Sequence, residues 1–100
     1  MTPKQRKKRF AALAQIGCIV CRNEGLGDTP AEIHHLKGYQ YSSMGKRASD
    51  ELSIPLCPIH HRHGGHGHVG YHQSPDSFES RYGTQTELLE QVNAIIDSMD

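Results

Sequence analysis

The stretch "LCPIHHRHGGHGHVGYH", residues 56–72, contains six of the eight histidines of this chain and one of its three cysteines. Within it, Cys57 and His60 stand in a C-x2-H arrangement, and Cys18 and Cys21 form a C-x2-C pair earlier in the chain. Two short-spaced pairs of this kind supply the four ligands of a tetrahedral zinc ion. Since every cysteine falls within one of the two pairs, we predict a structural Zn²⁺ site made of these four residues.

Two other interpretations of the cysteines stay open at this point. The first is a set of three buried free thiols. The second is a redox-active C-x2-C pair, although the βαβ pattern that usually surrounds such a motif is missing. An intracellular setting disfavours disulfides, and an odd number of cysteines agrees with that.

The segments around these pairs predict an α+β fold with a two-stranded element at its centre. The stretch "TPKQ" carries a capping box formed by Thr2 and Gln5, which predicts a helix over residues 3–16 that Gly17 ends. "CIVC" is expected to be a tight turn or knuckle, and "HGGHGHVG" is too rich in glycine to form a regular element. Strands are expected in "AEIHHL" and "ELSIPL", and helices in "SPDSFESRYG" and "TQTELLEQVNAIIDSMD".

A length of 100 residues predicts a single domain. We divide it into a basic helix (1–16), a zinc-clamped core (17–72) and C-terminal helices (73–100). Two strands alone are barely stable in water, so the zinc ion is expected to clamp the core.

The formal net charge is zero, yet the charges are separated along the chain. The first nine residues carry five positive charges and no acid, whereas the last seventeen carry four acids and no lysine or arginine. A basic segment of this kind can contact a phosphate backbone without reading sequence. The candidate nucleic-acid contacts are Lys4, Arg6, Lys7, Lys8, Arg9, Lys37, Lys46 and Arg47.

The sequence shows neither a secretory signal pattern nor a run of apolar residues long enough to cross a membrane. We therefore expect a cytoplasmic protein without a membrane partner, and we expect it to be a monomer.

A second, catalytic ion is suggested by the pair His34 and His35 in the first strand and by His61 beside the zinc ligand His60. If His61 approaches His34 across the strands, two neutral imidazoles would hold one divalent ion with open positions for phosphate oxygens. His35 would then be placed to take a proton from water.

These residues carry a resemblance to a known family. "CIVC … EIHHL … LSIPLCPIHH" resembles the HNH, or ββα-metal, nucleases with zinc knuckles. The stretch that follows, "HHRHGGHGHVGYHQSPDSFESRYGTQTELL", is similar to the phage recombination-enhancement (Ref-type) nucleases, in which an F-x3-[YF]-G-T…LL tail follows the HNH core. The resemblance covers about residues 17–90. It implies a DNA endonuclease with a β-hairpin and a helix around one Mg²⁺ or other divalent ion, acting with a RecA filament on single- or double-stranded DNA.

The resemblance also implies roles for single residues. His34 and His61 would be ligands of the catalytic ion, and His35 would be the general base. The family places a further histidine about one helical turn after His61, where this chain has Gly65. His72 matches that histidine best by its distance from Phe78, with His66 and His68 as alternatives.

The middle residue of the family motif is often asparagine, and this chain has Leu52 there. Asp50 is our choice for its substitute, either orienting His35 or touching the ion. Glu32 is expected to be a solvated strand residue or a partner of a metal ligand.

Two other enzyme settings and two non-enzymatic functions compete with this interpretation. A structure-specific nuclease and a packaging-linked HNH nuclease would use the same residues. A zinc-finger nucleic-acid-binding module would use only the four-residue zinc site. A histidine-rich metal carrier would bind several weak ions through residues 61–72.

Overall fold

A computed structural model describes residues 1–43 and 45–99 of the chain. Met44, in the predicted 37–50 loop, and Asp100, at the end of the predicted last helix, lie outside the described residues. The elements follow the order helix, short helix, two strands, π-helix and two helices. They are α1 (Pro3–Ile16), α2 (Ile19–Asn23), β1 (Glu32–His35), β2 (Ser53–Leu56), a π-helix (Ile59–His63), α3 (Pro75–Tyr82) and α4 (Gln85–Ser98).

The two long helices begin at the capping boxes that the sequence contains. Thr2 accepts the backbone N–H of Gln5, and the Gln5 side chain accepts the backbone N–H of Thr2. Thr84 and Glu87 make the same reciprocal pair at the start of α4. Both boxes satisfy backbone N–H groups that a helix start leaves without partners, so both predicted helices are confirmed.

Gly17 ends α1 and lets the chain turn closely past the loop that precedes β1. Its φ is +73°, a region that favours glycine, and a Cβ there would lie 2.9 Å from the backbone oxygen of Thr29. The N–H of Cys18 donates to that same oxygen at 3.0 Å. The "CIVC" stretch, predicted as a tight turn or knuckle, opens the five-residue helix α2, and Cys18 Sγ accepts the backbone N–H of Cys21 at 3.4 Å.

The strands form one antiparallel pair that is shorter than the sequence predicted. Glu32 faces Leu56, and His35 faces Ser53 at the other end of the pair. The strand β2 is buried along its whole length, whereas β1 buries His34 and leaves His35 partly exposed. Neighbouring strand residues point to opposite faces, so the two histidines serve different surroundings.

Helices α1, α2 and α4 each pack against β2 and enclose the apolar core. Phe78 brings α3 into the same core, and Leu88 and Val92 supply the buried face of α4. Ile95 packs against the core edge, and Met99 at the end of the predicted apolar stripe is exposed. Other buried members are Leu13, Ile16, Ile19, Val20, Leu36, Ile54, Leu56 and Tyr71.

Candidate metal sites and their surroundings

The four predicted zinc ligands converge from three separate elements. Cys18 caps α2, Cys21 lies inside that helix, Cys57 follows β2 and His60 lies in the π-helix. All four are buried, and their ligand atoms form one cluster able to hold a metal ion. The three cysteines are free thiols.

The spacing within this cluster fits tetrahedral zinc. With Zn–S of about 2.3 Å and Zn–N of about 2.0–2.1 Å, a tetrahedron separates sulfur atoms by about 3.8 Å and sulfur from nitrogen by about 3.6 Å. His60 Nδ1 lies 3.6, 3.5 and 3.3 Å from the Sγ atoms of Cys18, Cys21 and Cys57. The Sγ atoms of Cys21 and Cys57 are 3.8 Å apart.

The protonation of these residues links metal uptake to proton release. Burial raises the pKa of the Cys18 thiol to about 12, and burial also raises the pKa of Cys21. Burial lowers the pKa of His60, which keeps its imidazole neutral and able to bind a metal. A metal ion entering this cluster therefore displaces protons from thiols.

The π-helix sends its two adjacent histidines into different sites. His60 turns toward the cysteines and stacks edge-on with Tyr82 at a centroid distance of 5.1 Å. His61 lies beside His34 and His72, with centroid distances of 5.2 and 4.9 Å. Single π-helical turns are rare and often occur at functional sites.

A close backbone contact brings His72 to this second group. The N–H of His72 donates to the carbonyl of His61 at 2.9 Å, and the N–H of Tyr71 donates to His60 at 2.8 Å. Gly70 permits the contact, because a Cβ there would lie 2.8 Å from the backbone carbon of Arg62. This packing requirement was not evident from a sequence stretch with several glycines.

Together His34, His61 and His72 form the second candidate metal site. Their ligand nitrogens all lie within 4.8 Å of one another. His34 is buried, His61 is partly buried and His72 is exposed, so the group is closed on the strand side and open to solvent at His72. The structure thus brings His72, rather than His66 or His68, to the other two.

His34 carries the most informative atom in this site. Its Nδ1 is the buried side-chain nitrogen or oxygen without a hydrogen-bond partner among the described residues. A buried polar atom without a partner is costly unless something else, such as a metal ion, satisfies it. Burial lowers the pKa of His34 to about 4, so the ring is neutral at pH 7 with a lone pair available.

Glu32, the first residue of β1, orients the ring of His61. Its Oε1 accepts from His61 Nδ1 at 2.9 Å and from Arg62 Nε at 2.9 Å. These hydrogen bonds hold the pKa of the Glu32 carboxyl below its usual range. A carboxylate on one imidazole nitrogen presents the other, here Nε2, to a metal, so Glu32 acts as the partner of a candidate ligand.

His35 and Asp50 form a separate pair on the α1 side of the strand. His35 Nε2 lies 2.9 Å from Asp50 Oδ1, and Phe10 contacts the ring edge-on with centroids 6.5 Å apart. The hydrogen bond with His35 lowers the pKa of Asp50. Arg6 and Arg47 lie 3.8 and 3.5 Å from the same carboxylate.

Most of the predicted nucleic-acid contacts are exposed on α1 and on the 37–50 loop, but Arg9 is not. Its guanidinium donates to the side chain and backbone oxygens of Ser53 at 3.2 and 2.6 Å and to Asn93 Oδ1 at 3.0 Å. Burial lowers the pKa of this guanidinium. Arg9 thus ties α1 to β2 and α4. The exposed ones are Lys4, Arg6, Lys7, Lys8, Lys37, Lys46 and Arg47.

Of the remaining histidines, His63 ends the π-helix, and His66 and His68 lie in the loop that follows it. His68 Nδ1 lies 3.1 Å from His60 Nε2, and a backbone bridge between Gly65 and His68 holds it there. His68 therefore contacts His60, a candidate metal ligand, and its position in the sequence did not indicate this contact. His63 and His66 are exposed.

Comparison with known proteins assigns this chain to a nuclease family. The model of the family described as "Recombination enhancement, RecA-dependent nuclease" matches residues 2–97. The chain belongs to this family, as its resemblance to the Ref-type nucleases led us to expect.

One curated relative is an uncharacterised protein, YdfU, from Escherichia coli (strain K12). It is 38% identical over 56 residues, which cover 56% of this chain and 14% of the relative. The matched region is therefore a small part of a longer protein. None of the helices in the described residues is long and apolar enough to span a membrane.

Proposed function

We propose that this chain is a metal-dependent DNA endonuclease of the ββα-metal (HNH) type that acts in phage-linked recombination with a RecA filament. Its setting would be the cytoplasm of a bacterial or phage-infected cell. The observation that carries the proposal is the group of His34, His61 and His72, together with the buried and unpartnered Nδ1 of His34. Family membership supports the nuclease class and the RecA dependence.

In this proposal the three histidines hold one Mg²⁺ or other divalent ion. Imidazole ligands accept several divalent metals, so the donor set alone does not select among them. When bound, such an ion relieves charge on the phosphate and assists the leaving 3′ oxygen. The exposed side of His72 gives the phosphate access to the group.

His35 is the proposed general base. Asp50 accepts the Nε2–H of His35, which leaves Nδ1 as the nitrogen that takes a proton from the attacking water. The Asp50 carboxylate also favours the imidazolium that forms. Because His34 and His35 point to opposite faces of β1, the proposal requires the scissile phosphate to lie across the end of the strand.

Positive side chains surround that end of the strand. Arg6 and Arg47 lie near Asp50, and Lys37 follows β1 and is exposed. They would bind backbone phosphates on either side of the cleaved bond, and such contacts carry no sequence information. We therefore propose weak sequence preference. The Cys18, Cys21, Cys57 and His60 cluster would hold Zn²⁺ in a structural role.

A cleavage assay with matched histidine variants tests this function. Zinc-loaded protein is incubated with Mg²⁺ or Mn²⁺ and with supercoiled plasmid or circular single-stranded DNA, with and without a RecA filament. His35→Ala is compared with His63→Ala, which removes an exposed histidine of the π-helix. We expect cleavage that requires the divalent ion, is lost in His35→Ala and persists in His63→Ala.

Equal cleavage by wild type and His35→Ala would refute the general-base role. Absence of cleavage by the folded wild type on every substrate would favour the alternative, a zinc-finger nucleic-acid-binding module. Activity without a RecA filament would keep the nuclease and remove the RecA dependence.

A further inference from the structure

Gln85 is the first residue of α4, and its side chain is 4% exposed. The amide reaches from the helix start to the end of β1. Its Oε1 accepts from the backbone N–H of Lys37 at 2.9 Å and lies 2.9 Å from His34 Nε2. Its Nε2 donates to the backbone oxygen of Lys37 at 2.8 Å.

The backbone of Lys37 fixes which way this amide faces. A backbone N–H only donates and a backbone carbonyl only accepts, so the amide oxygen must face the N–H and the amide nitrogen must face the carbonyl. The atom beside His34 is therefore an oxygen. Since that oxygen only accepts, His34 Nε2 must carry the proton.

The position of Gln85 is itself held by the helix start. The capping box of Thr84 and Glu87 surrounds it, and its backbone N–H donates to Glu79 Oε2 of α3 at 2.8 Å. Phe78 and Leu88, on either side of this junction, are both buried. The side-chain amide thus reaches β1 from a helix start that is held by hydrogen bonds and by buried neighbours.

We propose that Gln85 is a positioning residue that holds His34 in the Nε2–H form and thereby directs the lone pair of Nδ1 at the divalent ion. This inference rests on the proposed function, because the divalent ion that it invokes is the one proposed there. It explains why Nδ1 is the buried nitrogen without a partner, and it gives α4 a part in the site.

The neighbouring candidate ligand, His61, uses the opposite ring nitrogen. Glu32 occupies Nδ1 of His61 and leaves Nε2 for the ion, whereas Gln85 occupies Nε2 of His34 and leaves Nδ1. Each of the two candidate ligands thus has one ring nitrogen occupied by a partner, and its other nitrogen is left for the ion.

The test combines nitrogen NMR of the histidine rings with titration of Mn²⁺ followed by electron paramagnetic resonance, both on the zinc-loaded chain. Mn²⁺ is a suitable probe because it competes weakly for thiolate sites. Gln85→Met removes the acceptor at nearly constant length, and Gln85→Glu keeps an acceptor. Gln91→Met is the matched control, since Gln91 lies on the same helix and its amide pairs with Asn23 instead.

Before Mn²⁺ is added, we expect wild-type His34 to be protonated at Nε2 alone. In Gln85→Met the ring should lose this single form, and Mn²⁺ binding should weaken by about 10- to 100-fold, as is usual for partners of metal ligands. Gln85→Glu should keep the ring form and the Mn²⁺ affinity, and Gln91→Met should match the wild type. His34→Gln assigns the signal.

A wild-type His34 protonated at Nδ1 would overturn the proposal, and this result needs no variant to fold. A Gln85→Met chain with a lower unfolding midpoint but unchanged ring form and Mn²⁺ affinity would also overturn it, because that is a merely structural role. If wild-type His34 has the expected form but the chain takes up no Mn²⁺, the ion site of the proposed function fails while the ring assignment stands.

Discussion

Replacing Cys57 by serine tests how far the fold depends on the zinc ion proposed for the cluster of Cys18, Cys21, Cys57 and His60. The residue follows β2 directly, and its sulfur lies 3.3 Å from His60 Nδ1 and 3.8 Å from the sulfur of Cys21. Through these contacts the cluster joins α2, β2 and the π-helix. The sheet is a single pair of short strands, and two strands alone are only marginally stable in water.

The magnitudes favour loss of the fold. Structural zinc contributes about 10–16 kcal/mol in zinc-finger peptides near pH 7. The whole net stability of a native protein is about 5–15 kcal/mol. A chain that cannot hold zinc therefore loses a contribution comparable to its entire stability, and we expect Cys57→Ser to be largely unfolded at 25 °C.

Urea unfolding followed by far-UV circular dichroism, together with measured zinc content, checks this expectation. The control is His63→Ser, a change at an exposed residue of the π-helix that should leave both zinc content and the urea midpoint unchanged. A zinc-free Cys57→Ser chain that unfolds at the wild-type urea midpoint would refute the reasoning, because the apolar core would then suffice.

Three further predictions concern the core, the helix start and pH. Phe78→Ala should lower the free energy of unfolding by about 3–5 kcal/mol, because the ring is fully buried, whereas Tyr39→Ala, at an 83% exposed residue, should change it by less than about 0.5 kcal/mol in urea unfolding. Thr84→Ala should lower the free energy of unfolding by about 0.5–2 kcal/mol, because it removes the N-cap of α4. It should also weaken Mn²⁺ binding, since the cap positions Gln85. Equal Mn²⁺ affinity in Thr84→Ala and wild type would show that the helix start does not affect the site. Because the folded pKa of His34 is about 4 and its usual value is 6.5, only the unfolded chain takes up this proton between those values. Stability should therefore fall as pH drops, by about 1 kcal/mol between pH 7.5 and 5.5, and the fall should be smaller in His34→Gln.

The helix starts were predictable because their signals are local. Each capping box joins residues three apart in sequence, so Thr2 with Gln5 and Thr84 with Glu87 identify α1 and α4 without any knowledge of the fold. The convergence of Cys18, Cys21, Cys57 and His60 was predictable for a similar reason, since each of the two pairs has its own short spacing. The fold needed only to bring the pairs together.

The elements that the sequence did not reveal depend on distant contacts. The helix α2 has five residues, too few to be stable alone, and it forms because Ile19 and Val20 are buried in the core. The bond between His34 and Gln85 joins residues 51 positions apart. The sequence around Gly70 predicted only a flexible loop. His72 can approach His61 because Gly70 has no side chain.

The two histidine doublets have a consequence for how the length of this chain can vary. His34 and His35 face opposite sides of a strand, and His60 and His61 enter two different candidate metal sites. Adding or deleting one residue within the strand would exchange the faces of both of its rings. The same change within the π-helix would turn His60 and His61 away from the clusters that they enter. Tolerated insertions should therefore concentrate between the doublets and beyond the second one, in the segments 37–50 and 64–68. Relatives of different length would then differ there while both doublets keep their local spacing.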